Sequence, residues 1–226
     1  MSHPKLNNIK VCAFDAYGTL FNVHSAVARG GQGLGDKAQA VSDTWRLKQL
    51  QYTWLRSLMK NHADFWTVTS DGLSFALEAH GVDDPELHAS LMNLYMTLDP
   101  YEDVIPCLTG LKSQGLHTAI LSNGNRAMLN AATDSAGLTE LLDASLSIDD
   151  VGIYKPDPKV YQMVGDRFGV SASEVCFMST NAWDASGAAD FGFNVVWLNR
   201  FGQIPEKLPG ELVTQITSLD ELAALL

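Results

Sequence analysis

Five short apolar runs punctuate the chain: Val11 to Phe14, Thr118 to Leu121, Ala144 to Ile148, Val175 to Met178 and Val195 to Leu198. They are rich in Val, Ile, Ala and Phe and lack strict polar alternation, the pattern of strands buried on both faces of a parallel sheet. Helical stretches separate the last four. From about residue 103 the order helix, strand, helix, strand predicts a doubly wound α/β sheet covered on both faces. The first strand has no such short return. Between Phe21 and about Pro100 the text is almost purely helical, in "KAQAVSDTWRLKQLQYTWLRSLMK", "DFWTVTSDGLSFALEAHG" and "DPELHASLMNLYMTL", the last opening with Asp-Pro as a helix start. The predicted organisation is an α/β core from 1–21 and 100–226, with a helical cap, 22–99, inserted after strand one. One glycine-rich stretch, "RGGQGLGD" at 29–36, lacks a preceding strand and a Lys-Ser/Thr ending, so it is predicted as a flexible loop and not a phosphate cradle.

Composition narrows the class. The 226 residues are 46% hydrophobic and 18% charged, enough for a substantial core and inconsistent with disorder or a fibrous repeat. A net charge of -11, from 26 acids against 15 Lys plus Arg with no basic cluster, argues against a nucleic-acid partner. Cys12, Cys107 and Cys176 are odd in number and far apart, as expected of thiols in a reducing compartment. The start "MSHPKLNNIK" has no apolar signal segment and no run reaches membrane-span length, so the expected location is the cytoplasm, with no membrane partner.

Ligands of open α/β sheets bind beyond the carboxyl ends of the strands, so chemistry is sought just after each run. Strand one ends at Asp15, followed by Tyr17, Gly18 and Thr19; "LSNGN" gives Ser122 and Asn123; "SIDDVGIYKPDPKVYQ" gives Lys155 and Tyr161; "FMSTNAWD" gives Ser179, Thr180, Asn181 and Asp184. Singly, each has a plain structural reading: Asp15 caps a turn, Ser122 and Asn123 cap a helix, Lys155 is a solvated loop charge. Together they set two carboxylates, a lysine and several hydroxyl and amide groups on one sheet edge, which chance explains less well.

With these residues in place, the chain resembles the haloacid dehalogenase superfamily, and more narrowly the L-2-haloacid dehalogenases, in "FDAYGTLFN", "WRLKQLQYTWLRSLM", "LSNGN", "YKPDPKVYQ" and "STNAWDASGAADFGF". The resemblance spans nearly the whole chain. It implies a Rossmann-like core with a cap, no metal or cofactor, a homodimer formed through the cap, for which "QYTWLRSLM" could supply the surface or be buried within one chain, and a 2-haloalkanoate as substrate. Implied catalytic residues are Asp15 as nucleophile, Lys155 and Asp184 beside it, Thr19, Tyr161, Ser179 and Asn181 as positioning groups, Ser122 with Asn123 on the substrate carboxylate, and Arg46 drawing off the halide. Tyr17, Phe65 and Trp183 are the implied apolar lining; Leu50, one turn beyond Arg46 on the same helix face, is expected to add an apolar wall beside that cation. Without the family, Arg46 on an amphipathic helix would be a solvated charge and the aromatics core.

A magnesium-dependent phosphatase of the same superfamily is the competing reading. Phosphoryl transfer requires an acid two residues after the nucleophile, to protonate the leaving oxygen, and extra carboxylates for Mg²⁺. Tyr17 holds the first position, and Thr180 stands where the phosphatase pattern has the first of two acids after strand four. A halide leaves without a proton, so the missing acid fits dehalogenation. A decayed binding protein is a further alternative, against which the set of Asp15, Lys155 and Asp184 stands. Two departures from the family are Leu47 for a polar Gln after Arg46, which bears on substrate-chain preference, and Asn22 for the usual acid after "TLF", expected to matter little.

Overall fold

The computed structural model describes residues 5–226, so the first four residues of the N-terminal stretch lie outside it. Six parallel strands form one sheet in the order β3-β2-β1-β4-β5-β6: β1 Val11–Phe14, β2 His117–Ser122, β3 Ala144–Ser147, β4 Val175–Ser179, β5 Asn194–Leu198 and β6 Thr214–Ile216. The five predicted runs are all strands. The sixth, "TQI", lacks an apolar run because it is an edge strand that pairs only with β5 and keeps Gln215 exposed.

All four residues of β1 are buried, and β1 pairs with β2 on one side and β4 on the other. The order of the strands reverses there, at the place where doubly wound sheets open a crevice for ligands. The residue that leaves β1 at that crevice is Asp15.

Four helices fill the excursion after β1: α1 Ser25–Gly30, α2 Ala38–Leu58, α3 Phe65–Ala79 and α4 Pro85–Tyr95. Asp64 caps α3 by accepting from Thr67 N, and Asp84 caps α4 ahead of Pro85 by accepting from Leu87 N. The buried stripe of α2, Val41, Trp45, Gln49 and Thr53, repeats every four residues and faces inward. The glycine-rich stretch differs from expectation. Its residues close α1 and form a 3-10 turn, Gln32–Lys37, because Leu34 is buried and pins the segment to the core.

The excursion leaves and returns at one place. Phe21 bridges Pro100, Asn22 N donates to Asp99 O at 2.9 Å and Tyr101 N donates to Leu20 O at 3.0 Å. Beyond it, α5 Val104–Ser113, α6 Arg126–Ser135, α7 Pro158–Phe168 and α8 Ala182–Phe191 alternate with the strands. Among the described residues, no helix is long and apolar enough to cross a membrane.

Candidate active site

Asp15 N extends the β1–β4 ladder by donating to Met178 O at 2.9 Å, and the chain then folds back sharply. Gly18 allows this turn: its φ is 97°, a left-handed conformation that strains other residues. The turn presents the Asp15 carboxylate, 5% exposed, to three partners. Lys155 Nζ lies 3.1 Å from Oδ1, while Thr19 Oγ1 and Asn181 Nδ2 donate to Oδ2 at 3.1 and 2.7 Å. Thr19 Oγ1 in turn accepts from Thr180 N at 2.8 Å, and Ser179 Oγ accepts from Asn181 N at 3.2 Å. Loops after β1 and β4 thus hold each other.

Lys155 is not a solvated charge; it is 1% exposed and bridges Asp15 to Asp184 Oδ2 at 2.8 Å. Burial alone would lower its pKa, yet the two carboxylates carry it above the ordinary lysine value. One cation cannot satisfy two buried anions equally. Burial pushes Asp184 up to about 6, against the pull of Lys155 and with Asp15's charge adding to the rise. Tyr161 donates to Asp184 Oδ1 at 2.8 Å, and burial, followed by the Asp184 charge, pushes its phenol well above the usual range, so it remains a neutral donor.

Ser122 ends β2 and Asn123 opens the turn to α6. Asn123 Oδ1 accepts from Lys155 N at 3.0 Å, tying this turn to the lysine, and Ser122 Oγ accepts from Gly124 N at 3.0 Å. Gly124 is required here, since a Cβ would lie 2.6 Å from the Tyr17 ring. Arg46 reaches in from α2: Nη2 donates to Tyr17 O at 2.9 Å and to Asn181 Oδ1 at 3.1 Å. It is half-buried and turned toward the Asp15 loop, not a fully solvated charge as its place on the helix suggests.

The apolar residues divide. Tyr17 packs on Phe65 and Tyr95, with ring centroids 5.3 and 5.7 Å away, and its buried hydroxyl has no partner. Leu50 and Trp183 instead line, with Arg46 and Asn181, a cavity of about 680 Å³. Asn181, in that wall, donates to Asp15. Leu47 is 52% exposed and is not part of that wall, so its departure from the family pattern falls outside the cavity. Asn22 accepts from His24 N with its side chain and stays at the hinge.

The superfamily's magnesium does not suit this donor set. Asp15 and Asp184 both engage Lys155, and Thr180, whose buried hydroxyl is unpartnered, replaces the other acid. Among the described residues, no group of three His, Cys, Asp or Glu side chains could hold a metal ion.

Two sets of residues escaped the sequence reading. Arg200, two residues past β5, forms a bidentate pair with Asp103 at 2.7 and 2.8 Å and donates to Thr19 O at 3.3 Å, bracing the Asp15 loop. Looking beyond β5 as beyond the other strands would have found it. Gln49, Thr69 and Tyr95 form a buried polar cluster behind Arg46; Gln49 lies inside the quoted "WRLKQLQYTW" motif but carried no role there.

The model of one family, haloacid dehalogenase-like hydrolase, matches residues 9–192. The chain belongs to this family. Within the haloacid dehalogenase-like hydrolases it is similar to (S)-2-haloacid dehalogenase 4A of Burkholderia cepacia, 49% identical over 222 residues, covering 98% of this chain and 96% of that one. It is 46% identical over 222 residues to (S)-2-haloacid dehalogenase 1 of Pseudomonas sp. strain CBS-3, covering 98% of both. A solved L-2-haloacid dehalogenase from Xanthobacter autotrophicus, with chloropropionic acid covalently bound, superposes with a TM-score of 0.90 at 35% identity, covering 96% of this chain and 98% of that one.

Proposed function

We propose that this hydrolase is an (S)-2-haloacid dehalogenase that converts L-2-haloalkanoates to D-2-hydroxyalkanoates through an ester on Asp15. The observation that carries the reading is Tyr17. It occupies the place of a phosphatase's general acid, yet burial, then Tyr95 and Asp15, push its phenol well above the ordinary range, so it is a poor proton donor. A halide needs none.

In this mechanism Ser122 and Asn123 bind the substrate carboxylate, and Asp15 attacks C2 from the face opposite the halogen. The C–O bond forms as the carbon–halogen bond breaks, which inverts the centre. Arg46 N–H groups receive the halide, and Tyr17, Leu50, Phe65 and Trp183 exclude water, favouring displacement by an anion. Water then attacks the ester carbonyl carbon, giving a proton to Asp184 while Lys155 stabilises the developing charge. The ester C–O bond breaks, the departing alkoxide takes up a proton to become the 2-hydroxy acid, and the remaining proton goes to solvent as Asp15 is regenerated. Thr19, Tyr161, Ser179 and Asn181 hold these groups through the bonds described above. The helical segment 22–99 serves as the cap over a core of 1–21 and 100–226.

The test is halide release from each enantiomer of 2-chloropropionate, with and without a chelator. Release from the S enantiomer that survives chelation is expected; activity restored only by Mg²⁺ would overturn the reading.

The partner we propose for the cap is a second copy of the chain. Leu55 and Leu58 on α2 and Met59 just past its end are exposed, Leu58 at 80%, and burying such side chains is favourable by about 1.5–3 kcal/mol each. Sedimentation should give a dimer that Leu58→Glu dissociates; a monomeric wild type refutes the assignment.

A further inference from the structure

The α2 stripe that faces α3 contains an anomaly. Between Trp45 and Thr53, where packing alone would favour an aliphatic residue, stands Gln49, 1% exposed. A buried amide is costly unless all its groups are bonded. Here they are. Nη1 of Arg46 donates to Gln49 Oε1 at 2.8 Å, Gln49 Nε2 donates to Thr69 Oγ1 at 2.7 Å, and Tyr95 Oη lies within 3.2 Å of Oε1.

The orientation of the amide has one solution. Arginine only donates, so the oxygen must face Arg46. Thr69 gives its own proton to Phe65 O at 2.6 Å, so its oxygen is free only to accept, which requires the amide nitrogen. Swapping oxygen and nitrogen would set donor against donor at Arg46. Tyr95, whose ring stacks on Tyr17 at an interplanar angle of 17°, closes the cluster and links it to the site lining.

We propose that Gln49 is a positioning residue that sets the plane of the Arg46 guanidinium. A guanidinium is rigid, so two anchor points fix it. Gln49 holds Nη1, and Tyr17 O with Asn181 Oδ1 hold Nη2, while Asn181 Nδ2 donates to Asp15. The relay Thr69, Gln49, Arg46, Asn181, Asp15 ties the halide-receiving cation to the nucleophile across the two layers. Without Gln49 the guanidinium keeps its charge but can turn toward the open cavity. The inference rests on the dehalogenase reading, in which Arg46 receives the halide.

The experiment compares wild type, Gln49→Met and Thr69→Val in the full chain, using (S)-2-chloro- and (S)-2-bromopropionate. Single-turnover halide release, KM, inhibition by added bromide and thermal midpoint are measured. Gln49→Met should slow single-turnover release by about 10- to 100-fold, the range expected of a misplacement near 1 Å. Chloride should suffer more than bromide, because the poorer leaving group depends more on the cation, and bromide inhibition should weaken while KM changes less. Thr69→Val, which frees the amide but leaves its contact with Arg46, should shift the chloride-to-bromide ratio the same way by less. A folded Gln49→Met with wild-type rates, ratio and bromide inhibition overturns the proposal, even if its midpoint falls. If Gln49→Met does not fold, an unchanged ratio in Thr69→Val overturns it. A wild type that releases no halide fails the dehalogenase reading itself, and this inference with it.

Discussion

Replacing Asp15 by Asn is expected to cut halide release by a factor on the order of 10⁴ or more, as removal of a covalent nucleophile does elsewhere. An amide can still accept from Thr19 and fill the same space, so the fold should survive, which thermal melting checks. What it cannot do is displace a halide as a carboxylate does. The ester route makes a second, sharper prediction for the wild type. In a single turnover in heavy-oxygen water, the water oxygen enters at the ester carbonyl carbon and stays on Asp15, while the product hydroxyl carries an oxygen that Asp15 held beforehand. Label should appear in the peptide containing Asp15; label only in the 2-hydroxy acid would mean that water attacks C2 directly. The location of Asp15 supports the first outcome, because its carboxylate is buried and triply bonded, with Lys155 on one oxygen and Thr19 and Asn181 on the other.

The core was legible for a physical reason: strands buried on both faces carry continuous apolar runs, and β1, β2, β4 and β5 do so. β6 was not, since an edge strand needs only one buried neighbour and tolerates "TQI". The strand-end rule found Asp15, Ser122, Asn123 and the Ser179 to Asp184 segment because backbone direction alone delivers them to one edge. It could not tell that Lys155 is buried; only the pairing of two carboxylates with one ammonium makes that tolerable. Arg46 and Gln49 were harder still. On a helix read alone, an arginine and a glutamine belong to the wet face, and both turn inward here because Asn181, Tyr17 O and Thr69 offer acceptors that the helix does not know about. The four-residue spacing of Val41, Trp45 and Thr53 did mark position 49 as inward, and a polar letter in that register was the available signal.

Lys155→Met should be nearly as damaging as the loss of Asp15, and its pH dependence distinguishes the cause. Removing one partner of a buried ion pair typically costs about 3–5 kcal/mol, because the other partner is left charged and dry. Two carboxylates would be left here, Asp15 and Asp184, and Asp184 relieves the penalty by binding a proton. Asp184, already raised to about 6 by burial in spite of Lys155, should rise further when the lysine's opposing pull is gone. A carboxyl whose folded pKa lies above its unfolded value of 3.8 favours the folded state when protonated and loses that advantage as pH rises through the folded pKa. The thermal midpoint of Lys155→Met should therefore fall further behind wild type as pH rises above about 6, where wild-type Asp184 is already ionised. A deficit that stays constant across that range would mean that the lysine contributes packing and not charge. Activity has the opposite sign in the wild type. In the proposed mechanism ionised Asp184 accepts the water proton during ester hydrolysis, so turnover should decline as pH drops through about 6, while the single-turnover release of halide declines less. Lys155→Met should move that limb upward in whatever turnover remains, because the same ammonium that holds Asp15 in place also keeps Asp184 able to take a proton near neutrality.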